Sequence, residues 1–152
     1  MHATSGRRRL QREYAMFFQN PPEDAMLFLN ETSIFECHFS FRGVRDSDYE
    51  RGIYHGKFVF PEDYPTNPPQ VYILTPNGRF QVNTKICVSF SSFHPESWTP
   101  TWTVASMIEA LCAFMETPGG GAVGALDLPS ATKRELALES LSFRCSCGAD
   151  HA

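Results

Sequence analysis

A chain of 152 residues with 42% hydrophobic content is long enough to bury one core and too short to require two. Thirteen basic against seventeen acidic side chains, a formal charge of −4, argue against a general nucleic-acid binder. Five cysteines, an odd number, exclude a complete disulfide framework and point to free thiols in a reducing compartment. No run reaches the ~20 apolar residues that span a bilayer, and no apolar stretch follows the N-terminal arginines as a signal peptide requires.

In chain order, Leu10, Tyr14, Phe17 and Phe18 fall at helical spacing between Arg7 and Phe18, and Asn20-Pro21-Pro22 stops the pattern. Arg7, Arg8, Arg9 and Arg12 lie on other faces of this helix and make its surface basic, suited to an acidic partner. Four strand-like runs follow: AMLFLN around Leu27, IFECHFSF, IYHGKFVF ending at Phe60, and QVYILT. Their short polar connections predict an antiparallel meander. Pro65, Pro68 and Pro69 before the fourth strand force extended backbone at its entry.

The segment Thr75 to Thr103 has no sustained period and carries Trp98 and Trp102; long loops in compact domains are often functional. Val104, Met107, Ile108, Leu111, Cys112 and Met115 then recur every three or four residues, predicting a helix against the core that Pro118 and Gly119-Gly120-Gly121 end. Thr132 and Glu135 have capping-box spacing, which predicts a last helix starting near Thr132 with Leu138 and Leu141 buried. The fold class is therefore α+β in a single domain over 5–146, with flexible termini at 1–4 and 147–152.

Within the long loop, Cys87 reads either as a core cysteine between Ile86 and Val88 or as a nucleophile. A thiolate is both a strong nucleophile and a good leaving group, so one cysteine can accept an acyl group from a thioester and release it to an amine or hydroxyl. Asn77, on the turn Thr75-Pro76-Asn77-Gly78, either bonds its own backbone or offers an amide to a developing oxyanion. His94, seven residues after the cysteine, either orients the loop or takes a proton from an incoming amine or hydroxyl, and Glu96 is a weaker candidate for that work. Cys145, Cys147 and His151 are three potential zinc ligands without a second pair at conventional spacing, so no metal is assigned. Cys37 and Cys112 are expected in the core, and His38 and His55 on strands have no partner in the sequence pattern.

The stretches YHGKFVFPEDYPTNPP, TPNGRF with ICVS, and WTPTWTVASMIEAL together resemble the ubiquitin-conjugating enzymes, in that family's order and approximate spacing, from about Arg7 to about Arg144. TPNGRF and FHPESWTPTW are most similar to the branch whose members are usually tail-anchored in the endoplasmic reticulum membrane and serve protein degradation there. The resemblance implies the family fold: an N-terminal helix, a four-stranded antiparallel meander, an active-site loop and C-terminal helices. It implies that Cys87 carries ubiquitin as a thioester and that Asn77 matches the asparagine of the family's His-Pro-Asn motif, supporting the loop or the oxyanion, with Thr75 in place of the histidine. The branch is associated with transfer to serine or threonine as well as lysine, which gives a base such as His94 a use.

The resemblance further implies partners: ubiquitin, the activating enzyme, a RING-type ligase and a protein substrate. The shared activating-enzyme and ligase surface would include Arg8, Arg12, Thr66, Thr99, Pro100 and Thr101. Thr66 stands where many members carry a phenylalanine anchor, a change expected to weaken ligase binding. No cofactor is expected in this domain, since ATP is consumed by the activating enzyme. The chain itself is expected in the cytoplasm, or on the cytosolic face of the endoplasmic reticulum where a longer chain carries a tail anchor. A scaffold that keeps the fold without the chemistry, and a cysteine hydrolase using Cys87 and His94, are the rival readings.

Overall fold

A computed structural model describes residues 5–152; the expected N-terminal tail at 1–4 lies outside the described residues. Helix α1 (Ser5–Gln19) buries Leu10, Tyr14 and Phe17, the predicted stripe, while Phe18 stays exposed. Strands β1 (Ala25–Leu29), β2 (Glu36–Arg42), β3 (Ile53–Val59) and β4 (Gln70–Ile73) pair in sequence order, every pair antiparallel. This is the expected meander.

Alternation gives the sheet two faces. Leu27, Cys37, Phe39, Phe41, Tyr54, Phe58, Val71 and Ile73 are buried on one, under α2 (Val104–Phe114), whose Val104, Met107, Ile108 and Leu111 face inward. Glu36, His38, Ser40, His55 and Lys57 share the other face, as the register Ser40↔His55 and His38↔Lys57 requires.

A capping box forms at the start of α2, where the Thr103 side chain accepts from Ser106 N–H and the Ser106 side chain accepts from Thr103 N–H. The one expected at Thr132 does not form. Helix α3 (Ser130–Glu139) begins two residues earlier, after Pro129, whose φ of −61° suits a helix entrance. Leu138 and Leu141, expected inside, are 50% and 37% exposed. The inward stripe is instead Ala137 and Ser140, small residues that let the chain lie close to β3. The Ser140 hydroxyl accepts from Ile53 N–H at 2.9 Å, a bond that leucine at this position could not make.

Residues at the terminus expected to be flexible, 147–152, take part in backbone pairing with the residues before them. Cys145 N–H donates to Ala149 O (2.9 Å) and His151 N–H to Phe143 O (2.9 Å), which closes residues 143–151 into a small hairpin. It lies on the outer face of the sheet, with Phe143 and His151 against the His55 ring and Ala149 buried.

Candidate active site

The long loop is organised by backbone pairing with the segment that follows α2. Gln81 N–H donates to Gly124 O (2.8 Å), Cys87 N–H to Val123 O (2.9 Å), Leu126 N–H to Arg79 O (2.8 Å) and Leu128 N–H to Gly78 O (3.1 Å). Gly124 makes this possible. Its φ is +78°, and a Cβ there would meet Ile86 Cγ2 at 2.9 Å and Lys85 O at 3.1 Å. The glycines after Pro118 therefore do more than end a helix: they return the chain beside Cys87.

Ile86 and Val88 are buried, so the alternating backbone turns the side chain between them toward the surface. Cys87 is only half-buried and free. The apolar neighbours that supported a core reading are what hold the thiol outward. Its Sγ lies 2.7 Å from His94 Nε2, and His94 Nδ1 lies 3.0 Å from Glu96 Oε1. Pro95 begins a 3-10 turn, Pro95–Ser97, that brings the carboxylate back to the ring. The Glu96 pKa is lowered, chiefly by the hydrogen bond from His94, so Glu96 is an ionised acceptor at neutral pH. A carboxylate accepts only, so Nδ1 carries the ring proton and the Nε2 lone pair faces the thiol. The arrangement can take a proton from Cys87, or from a nucleophile that approaches it.

Asn77 is buried, and its side chain is fully occupied: Nδ2 donates to Thr75 O (2.9 Å) and Phe80 O (3.1 Å), and Oδ1 accepts from Arg79 N–H (2.8 Å) and Phe80 N–H (2.7 Å). With both donors and both acceptor sites used, no amide hydrogen is left for an oxyanion. Of the two roles left open by the sequence, the geometry matches support of the loop. Thr75, where the family motif has histidine, is also buried, and its hydroxyl accepts from His55 N–H (2.9 Å). Asn77→Ala strands two N–H and two C=O groups in the interior, and a loss of about 2–3 kcal/mol is expected by thermal or urea unfolding.

The expected partner residues come from α1 and two loops. Arg8, Arg12, Thr66, Thr99, Pro100 and Thr101 are all exposed, on α1 and on two loops that are tied together from beneath. Arg9 Nη2 donates to Pro100 O (2.6 Å) and Trp102 O (3.0 Å), and Trp98 Nε1 donates to Pro65 O (2.8 Å). The centre of these ties is Glu13, a residue the sequence reading missed. Its carboxylate accepts from Arg9 Nε (2.8 Å), Tyr64 OH (2.7 Å) and Val104 N–H (2.7 Å). Burial, and then the Glu13 charge beside it, pushes the Tyr64 phenol pKa upward, so Tyr64 remains a donor. A lone acid between Arg12 and Tyr14 carries no motif, and only the tertiary fold assigns it a partner.

A second titratable cluster lies on the outer sheet face. His38, His55, Cys145 and Cys147 bring one ligand-type atom each to within 4.8 Å of one another. Two of the terminal residues weighed as metal ligands thus meet the two strand histidines for which the sequence pattern offered no partner. The third, His151, is set apart, its Nε2 2.9 Å from Ser40 Oγ.

Comparison with known proteins identifies the family. The family model described as ubiquitin-conjugating enzyme matches residues 9–124. Ubiquitin-conjugating enzyme E2 32 of Arabidopsis thaliana is 47% identical over 133 residues, 88% of this chain and 43% of the relative. Human ubiquitin-conjugating enzyme E2 J1 is 47% identical over 119 residues, 78% of this chain and 37% of the relative. Ubiquitin-conjugating enzyme E2 6 of Eremothecium gossypii is 42% identical, over 88% of this chain and 54% of the relative. The chain thus spans about half, or less, of the length of these relatives. Among solved structures, human ubiquitin-conjugating enzyme E2 G1 superposes with a TM-score of 0.65 at 25% identity, covering 75% of this chain and 97% of that one. On the match across residues 9–124, the identity to these relatives and the shared fold, the chain belongs to the ubiquitin-conjugating enzyme family.

Proposed function

We propose that Cys87 accepts ubiquitin from an activating enzyme as a thioester and passes it to a substrate lysine, serine or threonine with a RING-type ligase present. The observation that carries the reading is the half-buried Cys87 thiol 2.7 Å from His94 Nε2, with the opposite ring nitrogen held by Glu96. In loading, the Cys87 thiolate attacks the incoming thioester carbonyl, His94 Nε2 holds the thiol proton, and the activating enzyme's thiolate leaves. In transfer, the acceptor amine or hydroxyl attacks the Cys87 thioester and gives up its proton to the same nitrogen, and the Cys87 thiolate leaves. Asn77 keeps the loop in shape, and no cofactor takes part in either step.

The surface of Arg8, Arg12, Thr66, Thr99, Pro100 and Thr101 is the docking site for the activating enzyme and the ligase. A role in degradation at the endoplasmic reticulum follows the resemblance to that branch. Among the described residues no helix is long and apolar enough to cross a membrane.

The test is to incubate the protein with activating enzyme, ubiquitin and ATP and compare gels with and without reductant. A reductant-sensitive adduct is expected. A folded protein that forms none is a scaffold. The Cys87–His94–Glu96 geometry also fits a hydrolase, whose adduct would disappear without any acceptor, whereas a conjugating enzyme holds its thioester until one is added. His94→Gln removes the base, and discharge of a preformed thioester onto free lysine or serine is expected to slow about 100-fold. Glu96→Gln, acting only through the ring, should slow it less.

A further inference from the structure

We propose that His38, His55, Cys145 and Cys147 form a tetrahedral zinc site that clamps the C-terminal hairpin onto the outer face of the sheet. His38 Nδ1 and His55 Nε2 are 3.0 Å apart, Cys147 Sγ is 3.2 Å from His55 Nε2, and Cys145 Sγ is 3.7 Å from His38 Nδ1. A tetrahedral zinc ion with Zn–N near ~2.05 Å and Zn–S near ~2.3 Å separates its ligands by about 3.3 Å for N–N, about 3.5 Å for N–S and about 3.8 Å for S–S. These three pairs stand within a few tenths of an ångström of that spacing, and all four atoms lie within 4.8 Å of one another, so side-chain movements of about 1 Å gather them on one ion.

The hydrogen bonds around the histidines aim the correct nitrogens inward. His151 Nδ1 lies 3.0 Å from the Ser140 carbonyl oxygen, which only accepts, so Nδ1 is protonated and Nε2 is an acceptor. The Ser40 hydroxyl, 2.9 Å away, donates to that Nε2 and so receives the hydrogen bond from His55 Nδ1 at 2.8 Å. His55 Nε2 is left with a bare lone pair facing the cluster. His38 Nε2 lies 3.6 Å from Glu36 Oε1, a carboxylate that favours the proton on that nitrogen and leaves the Nδ1 lone pair free. Two such lone pairs 3.0 Å apart repel unless a proton or a cation lies between them. Outer partners of this kind, a hydroxyl on one histidine and a carboxylate on the other, are the usual company of metal-bound imidazoles.

The backbone fits as well. In Cys145-Ser146-Cys147-Gly148, Gly148 N–H donates to Cys145 O (3.1 Å) and Gly148 takes φ +105°, a tight turn that presents both sulfurs to the sheet. Two thiols and two imidazoles are a donor set for zinc, not for magnesium or calcium. Four protein ligands leave no position for substrate, so the ion is structural. It joins strands β2 and β3 to a hairpin 107 and 92 residues further along the chain.

The test measures metal in protein purified without chelator, by mass spectrometry, in a Cys87→Ser background so that zinc held by Cys87 and His94 is not counted. About one zinc per chain is expected, falling at least tenfold on adding Cys145→Ser and Cys147→Ser, which lie on a surface turn and leave the core intact. Cobalt(II) added to the metal-stripped protein should give the intense visible bands of a tetrahedral thiolate complex, absent in the double serine variant. Chelator should lower the melting temperature of the Cys87→Ser protein and leave the variant lacking both terminal thiols unchanged. A natively folded protein that takes up no zinc on titration overturns the proposal. So does zinc retained undiminished when Cys145 and Cys147 are replaced, or a mass two hydrogens lower with both terminal thiols unreactive, which would mark a Cys145–Cys147 disulfide.

Discussion

Cys87→Ser is expected to eliminate the reductant-sensitive ubiquitin adduct and leave, at most, a slowly formed conjugate that survives reductant. The serine hydroxyl occupies nearly the same space and keeps His94 Nε2 as its proton acceptor, so the geometry for attack persists. What is lost is nucleophilicity. An alcohol is almost wholly protonated at neutral pH, whereas a thiol is in appreciable part thiolate, and an ester oxygen is a far poorer leaving group than sulfur. A fall in loading rate of at least ~1,000-fold, about 4 kcal/mol of barrier, is expected. Cys87→Ala should give no adduct of either kind. Because the side chain is half-buried and packs no core, both variants should melt within about 2 °C of the wild type. Adduct formation followed by gel, beside thermal unfolding, checks both statements together. A serine variant that still gave a reductant-sensitive band would place the thioester on another of the five cysteines.

Glu13→Ala is expected to cost about 3–5 kcal/mol and to lower the melting temperature by roughly 10–15 °C. The carboxylate side chain is 3% exposed and its Arg9 partner 16%, so removing one charge leaves the other largely out of water. Two further groups lose their acceptor. Tyr64 OH and Val104 N–H are left without a partner inside the protein, and Val104 is the first residue of α2, where a negative charge also offsets the helix dipole. Glu13→Gln retains one oxygen for Val104 N–H but turns an amide donor toward the remaining donors, so a smaller yet substantial loss is expected. Urea unfolding of the three proteins measures the order. An alanine variant within about 1 kcal/mol of the wild type would mean that water replaces the carboxylate and that the ties between α1 and the two loops hold without it.

The meander and α2 were legible because their apolar residues repeat at strand and helix period over many positions. Cys87 was singled out only through the motifs around it; on their own, the flanking Ile86 and Val88 argued for a core cysteine, and its half-exposed position depends on the fold. Features that depend on two distant segments were not legible. Glu13 answers Val104, 91 positions away, and no local pattern joins them. His38 and His55 sit at the outward positions of strands, where a polar residue is ordinary, and their meeting with Cys145 and Cys147 requires a hairpin whose short sequence reads as a tail. Leu138 and Leu141 misled for a different reason. Hydrophobicity alone placed leucine inside, whereas the inward positions are the small Ala137 and Ser140, the latter bonded to β3 from the turn that follows α3.

The loops of the proposed docking surface are anchored through their main-chain carbonyls. Arg9 grips Pro100 O and Trp102 O, and Trp98 grips Pro65 O, while the outward side chains of Thr66 and Thr99–Thr101 contribute nothing to those grips. Loop shape and surface chemistry are thereby assigned to different atoms. Substitutions at the outward positions can change the exposed chemistry of these loops without reshaping them, so an aromatic side chain in place of Thr66, which is exposed, is expected to leave the protein folded. Surface chemistry is free to drift here at little cost to the scaffold, and Arg9 and Trp98 are what make that drift tolerable.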